Sequence, residues 1–223
     1  MGVGMIHVIT AANRCLYETY LEELFVLRHH IFVGAGGWIP VERPGCREID
    51  AYDNEDAVYL LALEGECIVG GHRLNPTVKP NMLSDVFPHL ASLRGVPEDL
   101  SVWEWSRCFV VKERCDGKFN LALMTAVQEL CLDEGITEVS AVMETWWLPR
   151  FQDAGFNVRP LGLPALVSGE WTMAALIEIS ARTLDYVKGK AGIHGSVLVR
   201  RGRQRPLVDH HLVKRRRVMG ARS

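Results

Sequence analysis

The sequence predicts a single α/β domain, an α-β-α sandwich around a mostly antiparallel central sheet. With 223 residues, 48% of them hydrophobic, the chain can bury a substantial core, and its length fits one decorated domain on the usual scale of ~100–200 residues. Helical and strand-like runs are mixed along the chain, not segregated into halves. The run VWEWSRCFVV, Val102 to Val111, carries aromatics at Trp103, Trp105 and Phe109 in the period-two pattern of a central strand.

A short strand, Ile6 to Ile9, opens the domain. Asn13 reads as the N-cap of the first helix, whose Leu16, Tyr20, Leu24 and Leu27 recur at three- and four-residue steps; the helix is expected to give way to loop at Arg28. Ala57 to Leu63 and Cys67 to Leu74 are apolar, β-rich runs joined by Glu64-Gly65-Glu66, a hairpin with Gly65 in the turn. Pro76, Pro80 and Pro88 then interrupt regular structure, leaving a short amphipathic helix through Met82, Leu83, Val86, Phe87 and Leu90 that reads as an insertion over one face.

Strict alternation in Val102 to Val111 puts Glu104 and Ser106 on one face and Arg107 on the other with the tryptophans. A bulge is therefore required if Glu104 and Arg107 serve one site. Asn120 to Asp133 reads as a helix with Leu123, Met124, Val127, Leu130 and Cys131 inward and Glu134-Gly135 as its C-cap. A strand from Glu138 to Met143, a short helix from Pro149 to Ala154, strands at Asn157 to Leu161 and Trp171 to Ile179, and a helix from Ala181 to Lys188 complete the domain. Residues 1–199 form it, and 200–223, with RRGRQRP and KRRR, reads as an exposed, poorly ordered basic tail.

The formal charge of −2 excludes a whole-chain nucleic-acid or membrane-surface binder by charge. No apolar run reaches the ~18 residues of a membrane span, and MGVGMIHVIT has no basic segment followed by an apolar core, so neither insertion nor export is expected. Cys15, Cys46, Cys67, Cys108, Cys115 and Cys131 contain no C-x-x-C and read as reduced thiols in a cytoplasm. The adjacent pairs His29-His30 and His210-His211 point in different directions and lack metal-site spacing, so no metal is expected.

The chemistry-bearing stretch is Leu24 to Asp53. Phe32 and Trp38 are interleaved with glycines, and Glu48, Asp50 and Asp53 follow at spacings of two and three. Aromatic faces with clustered carboxylates suit a flat cationic ligand. The competing reading is a surface loop with solvated acids and aromatics packed on the core.

Taken together, these positions resemble the acyl-homoserine lactone synthases, the autoinducer synthases of bacterial quorum sensing, from Ile6 to about Ile179. The family's Arg, Phe and Trp appear as Arg28, Phe32 and Trp38, and its E-x-D-x-x-D as Glu48, Asp50 and Asp53. The Arg closing its third strand matches Arg73, its Phe matches Phe87, and its E-x-S-R matches Glu104, Ser106 and Arg107. The resemblance implies a fold similar to the GCN5-related N-acetyltransferases and a reaction between S-adenosylmethionine, a substrate and not a cofactor, and an acyl thioester on coenzyme A or acyl carrier protein. The amine attacks the thioester, and the carboxylate then displaces methylthioadenosine to close the lactone.

A protonated amine is no nucleophile, so a carboxylate must take a proton directly or through one water; Glu104 is the first choice and Glu48 the runner-up. The resemblance assigns Arg28, Phe32, Trp38, Asp50, Asp53 and Arg73 to S-adenosylmethionine. Arg28 and Arg107 would meet carboxylate or carbonyl oxygens, and Ser106 and Arg107 would lie at the thioester and pantetheine. Backbone N–H groups at the bulge would face the oxyanion. Arg73 beside Glu104 also reads as a plain buried ion pair between neighbouring strands.

Phe87, Met143, Trp146 and Trp147 are the acyl-pocket candidates. Two adjacent indoles after the strand Glu138 to Met143 leave little room for an eight- or twelve-carbon chain and could stack on a planar or branched group. The run ETWWLPR, Glu144 to Arg150, also resembles the branch using branched-chain or aryl coenzyme A thioesters, which favours isovaleryl-, cinnamoyl- or coumaroyl-type donors. Two alternatives compete. An ordinary N-acetyltransferase needs R-x-x-G-x-G/A for pyrophosphate, where ERCDGKFN has one glycine. A non-catalytic ligand sensor would not need the intact acidic and arginine set.

Overall fold

The computed structural model describes residues 5–35, 46–111 and 117–208. Nine strands form one sheet in the order β6-β8-β5-β4-β3-β2-β1-β9, with β7 also on β8. They are β1 (Met5–Ile9), β2 (Val58–Glu64), β3 (Cys67–Pro76), β4 (Val102–Val110), β5 (Glu138–Glu144), β6 (Val158–Pro160), β7 (Ala165–Val167), β8 (Glu170–Glu178) and β9 (Leu198–Val199). Among the described residues only β4–β5 and β1–β9 run parallel. The helices are α1 (Glu18–Arg28), α2 (Met82–Asp85), α3 (Lys118–Glu134), α4 (Leu148–Asp153) and α5 (Ala181–Ala191). The sandwich expected from the sequence is the observed architecture.

Alternation along the strands separates two unequal faces. Ile6, Val8, Val58, Leu60, Trp103, Trp105, Val139, Met143, Met173 and Ile177 join Leu123, Val127 and Leu130 of α3 and Val187 of α5 in the main core. The opposite face holds two smaller clusters. At one end Ile9, Tyr59, Leu61 and Phe109 pack on Leu21 and Leu24 of α1. At the other, Val102, Ala174 and Leu176 pack on Leu83, Leu90 and Ala91. The space between these clusters belongs to charged residues.

Several expectations need correction. Asn13 does not cap α1: it precedes a 3-10 turn, Arg14–Leu16, and its side chain bonds Thr10, Val8 and Arg201 instead. The buried stripe of α1 is Tyr17, Leu21, Leu24 and Arg28, steps of four, three and four, while Leu16 is exposed. The chain does not turn to loop at Arg28 either. It continues as a seven-residue π-helix, His29–Ala35, so Phe32 is held on a helical turn. The proline-rich insertion is two pieces, α2 and a 3-10 turn at Pro88–Ala91, with Asn81 and Ser84 forming a capping box at α2.

The hairpin is as expected, with Gly65 at φ +63°. Strands β7 and β9 had no signal in the sequence, being three and two residues long. Residues 200–208 are mostly exposed, as expected, but tied to the domain: Arg200 pairs with Asp133 and Glu134, the Leu207 amide donates to Glu134, and Val208 enters the main core. The remainder of the basic tail, 209–223, lies outside the described residues.

Candidate functional site

The bulge in β4 is what assembles the site. Gly71 pairs with Phe109 and Arg73 with Ser106, so two steps on β3 face three on β4. Arg107 takes up the extra residue at φ +52°, a left-handed conformation that a bulge imposes and a regular strand cannot hold. Alternation inverts there: Trp103 and Trp105 point into the main core, whereas Phe109 points to the opposite one. Glu104, Ser106 and Arg107 thereby share one face.

Three arginines and three acids interlock on that face. Arg28, 1% exposed at the end of α1, donates from Nε to Glu48 and from both Nη atoms to Asp53 at 2.8 and 3.0 Å. Arg73, 0% exposed on β3, forks onto Asp50 at 2.5 and 3.0 Å, reaches Asp53 at 2.9 Å and donates from Nε to Ser106 at 3.2 Å. Arg107 meets Glu48 at 2.7 Å and Asp50 at 2.6 Å, and its guanidinium lies 5.7 Å from the Phe32 ring. Each arginine thus bridges two carboxylates, which offsets the cost of burying the charges.

The acidic segment is shaped by its own turn. The Asp50 amide donates to the Asp53 carboxylate, the Tyr52 amide to that of Asp50, and the Glu48 amide to Phe25 O on α1. Tyr59 adds a hydrogen bond from its hydroxyl to Asp53 at 2.9 Å. Burial alone would raise the Asp53 pKa, but Arg28 and Arg73 outweigh it and hold the carboxyl well below its ordinary value.

Glu104 is different. It is buried on β4, yet its carboxylate accepts from backbone amides, Leu83 N at 2.7 Å and Met82 N at 3.2 Å at the start of α2. Burial raises its pKa, and the two amides and the Arg73 charge offset that only in part. The direct Arg73–Glu104 pair expected from the sequence is not among the bonds of the described residues. Arg73 serves Asp50, Asp53 and Ser106, and Glu104 stands opposite Asn75. Among the described residues it is the one acid of the group bonded only to main chain.

The acyl-pocket candidates do not come together. Met143 and Trp147 pack against the main core, whereas Phe87 packs with Leu83 and Leu90 across the sheet. Trp147 sits 6.1 Å from Phe151, which touches Trp105 at 5.5 Å, so an aromatic wall runs from the end of β5 into the core. Trp146 is 47% exposed, stacked on Trp147 at 4.8 Å with the Arg150 guanidinium 4.6 Å from its ring. Beside this wall the pairing of β4 with β5 ends at Glu104 and Ser140.

Trp38 lies outside the described residues, as does most of the ERCDGKFN loop. Sequence reasoning missed Tyr59, Tyr52, Met82 and Leu83. Met82 places its sulfur 3.0 Å from Arg107 Nη1, and Tyr52 has its ring under the Arg73 guanidinium at 5.7 Å. Tyr52 could have been suspected from its place between two site acids; nothing in the sequence marks Met82 or the Leu83 amide. Among the described residues no group of three or more His, Cys, Asp or Glu side chains could hold a metal, and no helix is long and apolar enough to cross a membrane. A separate groove of about 580 Å³, lined by Glu138, Asn157, Arg159 and Glu178, opens at the other end of β5, where its polar walls pair with each other.

Comparison with known proteins gives a consistent answer. The autoinducer synthase family model matches residues 13–187. The isovaleryl-homoserine lactone synthase of Bradyrhizobium diazoefficiens is 62% identical over 85% of this chain and 86% of its own length. A CoA-dependent acyl-homoserine lactone synthase, BjaI, solved with SAM and isopentyl-CoA, superposes with a TM-score of 0.89 at 56% identity, covering 96% of this chain and 99% of that one. A putative N-acetyltransferase from Lactobacillus plantarum shares the fold at a TM-score of 0.52 and 15% identity, over 79% of this chain and 99% of its own.

Proposed function

The chain belongs to the autoinducer synthase family, and we propose that it makes an N-acyl-L-homoserine lactone from S-adenosyl-L-methionine and a branched or aryl acyl-CoA, releasing methylthioadenosine. The observation that carries this reading is the convergence of Arg28, Arg73, Arg107, Glu48, Asp50, Asp53 and Glu104 from four separate segments onto one face of the sheet. Such a set is far more than a structural ion pair needs, and it lies beside the gap where β4 and β5 part.

In this reading the substrate ammonium gives a proton to Glu104, directly or through one water. Among the described bonds Glu48, the other candidate base, accepts from Arg28 on one side and Arg107 on the other, whereas Glu104 accepts only from amides. A buried carboxyl with a raised pKa is also the better proton acceptor at neutral pH. The freed amine attacks the thioester carbon, the C–S bond breaks, and coenzyme A leaves as the thiol, its sulfur taking the second proton that the nitrogen loses in becoming an amide. The methionyl carboxylate then attacks its own γ-carbon, breaking the bond to the sulfonium and releasing methylthioadenosine with the lactone.

Arg28 has all three guanidinium nitrogens committed to Glu48 and Asp53, so its role is to orient acids and not to meet substrate oxygens as the sequence suggested. Arg107, at the bulge and over Phe32, meets the substrate in this reading, and Asp50 and Glu48 beside it supply negative charge for the ammonium and sulfonium. Phe32 flanks the adenosyl-methionine pocket, and the family resemblance gives Trp38 to the same ligand. Ser106 and the backbone N–H groups at the bulge serve the thioester.

A short branched or planar acyl group fits the wall of Trp147, Phe151 and Trp105 better than a long flexible one, as does the likeness to an isovaleryl-homoserine lactone synthase. Both substrates are cytoplasmic, and the cysteines among the described residues are unpaired, which supports a cytoplasmic enzyme. The test is release of methylthioadenosine on incubation with S-adenosylmethionine and an acyl-CoA series including isovaleryl-CoA, with acyl carrier protein thioesters in parallel. No release with any thioester would refute the function, and release only with acyl carrier protein would refute the donor.

A further inference from the structure

Buried polar side-chain atoms without a partner are few in a folded protein, and each calls for a reason. Among the described residues four such atoms fall on the neighbouring strands β3, β4 and β5: His72 Nε2, Asn75 Oδ1, Trp103 Nε1 and Ser140 Oγ. Three of them have ready accounts. His72 accepts from Trp105 through Nδ1 and Asn75 donates to Tyr52 O, so each is half satisfied, and Trp103 is a bulky core residue whose carbon surface outweighs its one N–H. Ser140 has no such account. It is 0% exposed, it has a single polar side-chain atom, and that atom is unpaired.

Its position is specific. Ser140 is the register partner of Glu104 across the parallel β4–β5 pairing, so the two side chains project from the same face. Their rung is the last before the strands part. A serine that only filled space here would be better replaced by alanine, because an unpaired buried hydroxyl lowers the stability of the ligand-free protein.

We propose that the Ser140 hydroxyl is a substrate-binding group, paired only when the α-amine of S-adenosylmethionine lies beside Glu104. This rests on the reading of Glu104 as the proton acceptor. The ammonium carries three protons. One goes to Glu104, one of the remaining N–H bonds is accepted by Ser140 Oγ, and the nitrogen lone pair is thereby turned toward the thioester carbon in the β4–β5 gap. Ser140 thus fixes the direction of attack, a contribution that grows from ground state to transition state.

The experiment compares the parent with Ser140→Ala and Glu104→Gln, measuring thermal melting with and without S-adenosylmethionine and the steady-state release of methylthioadenosine. Ser140→Ala is expected to melt at the parent temperature or above it without ligand. It should show a smaller stabilisation by S-adenosylmethionine and a kcat/KM for that substrate lower by about tenfold, with the KM for acyl-CoA unchanged. Parent-like kinetics and ligand stabilisation would overturn the proposal. So would a lowered ligand-free melting temperature, which would make the hydroxyl structural, or a loss confined to the acyl-CoA KM, which would assign it to the donor. If Glu104→Gln turns over like the parent, the base assignment fails by itself. The ligand-dependent melting of Ser140→Ala still decides whether the hydroxyl touches the methionyl substrate.

Discussion

Arg28 and Asp53 meet across 25 residues of sequence through two parallel hydrogen bonds of 2.8 and 3.0 Å, with both side chains sealed from solvent. The pair ties the end of α1 to the acidic turn and so sets the frame on which Glu48 and Asp50 are displayed. Replacing Asp53 with Asn keeps the shape but leaves Arg28 and Arg73 short of a buried counter-charge, and breaking one side of such a pair typically costs ~3–5 kcal/mol. Urea unfolding of Asp53→Asn at neutral pH should show a loss on that scale. The pH dependence has a definite sign. The folded pKa of Asp53 lies below its unfolded value, so its stabilisation is present above about pH 4 and is lost as the pH falls toward the folded pKa. The gap between parent and variant should therefore narrow in acid; a gap that widens below pH 4 would contradict the assignment.

Glu104 carries the opposite shift. Its folded pKa is raised, so ionising it costs stability as the pH rises from the unfolded value to the folded one. Glu104→Gln should therefore melt no lower than the parent at pH 7, provided the Leu83 amide still finds the amide oxygen. Turnover should fall by on the order of a hundredfold or more. In the parent, kcat/KM for S-adenosylmethionine should rise with pH along a limb set above the ordinary carboxylate range. A variant that retains full activity would move the base to Glu48 or to water.

The fold was legible where the pattern is local and long. The hairpin Val58–Glu64 and Cys67–Pro76 and the helix ending at Gly135 follow from composition and turn residues, and β4 declared both its aromatics and the need for a bulge. What was not legible depends on distant chain. The buried face of α1 is set by what Arg28 must reach, so Tyr17, Leu21 and Leu24 face inward although Leu16 and Tyr20 make an equally good stripe on paper. Phe87 and Trp147 could not be assigned to faces without knowing that α2 and α4 lie on opposite sides of the sheet. Backbone donors such as Leu83 N leave no trace in residue identity at all.

Arg107 at φ +52° points its guanidinium at Glu48, Asp50 and the face of Phe32 together. A lysine supplies one point charge and no planar fork, so it can meet one acid but cannot bridge two while lying over the ring. Arg107→Lys should lower kcat/KM for S-adenosylmethionine by about ten- to a hundredfold. Steady-state rates with the acyl-CoA held saturating read this directly. A lysine variant within twofold of the parent would mean that the fork is not used in turnover.

The two tryptophans differ in what they touch, and this divides their roles. Trp147 packs on the main core beside Phe151, in line with Trp105, whereas Trp146 is half exposed and leans on Trp147 with Arg150 over its outer ring. In the proposed function Trp147 is the floor of a short acyl pocket, and Trp146, stacked on it, braces it from outside. Removing the inner indole opens volume that added methylenes can fill, and each methylene accommodated or refused in such a pocket is worth ~1–3 kcal/mol. Trp147→Ala should raise kcat/KM for octanoyl-CoA relative to isovaleryl-CoA by at least tenfold. Trp146→Ala should shift the same ratio less, by a loosened stack and not by new space. The ratio is read from competition between the two donors in one vessel, which cancels differences in enzyme concentration and in S-adenosylmethionine binding. If Trp146→Ala shifts the preference more than Trp147→Ala, or if neither moves it, the inner indole does not limit the acyl chain.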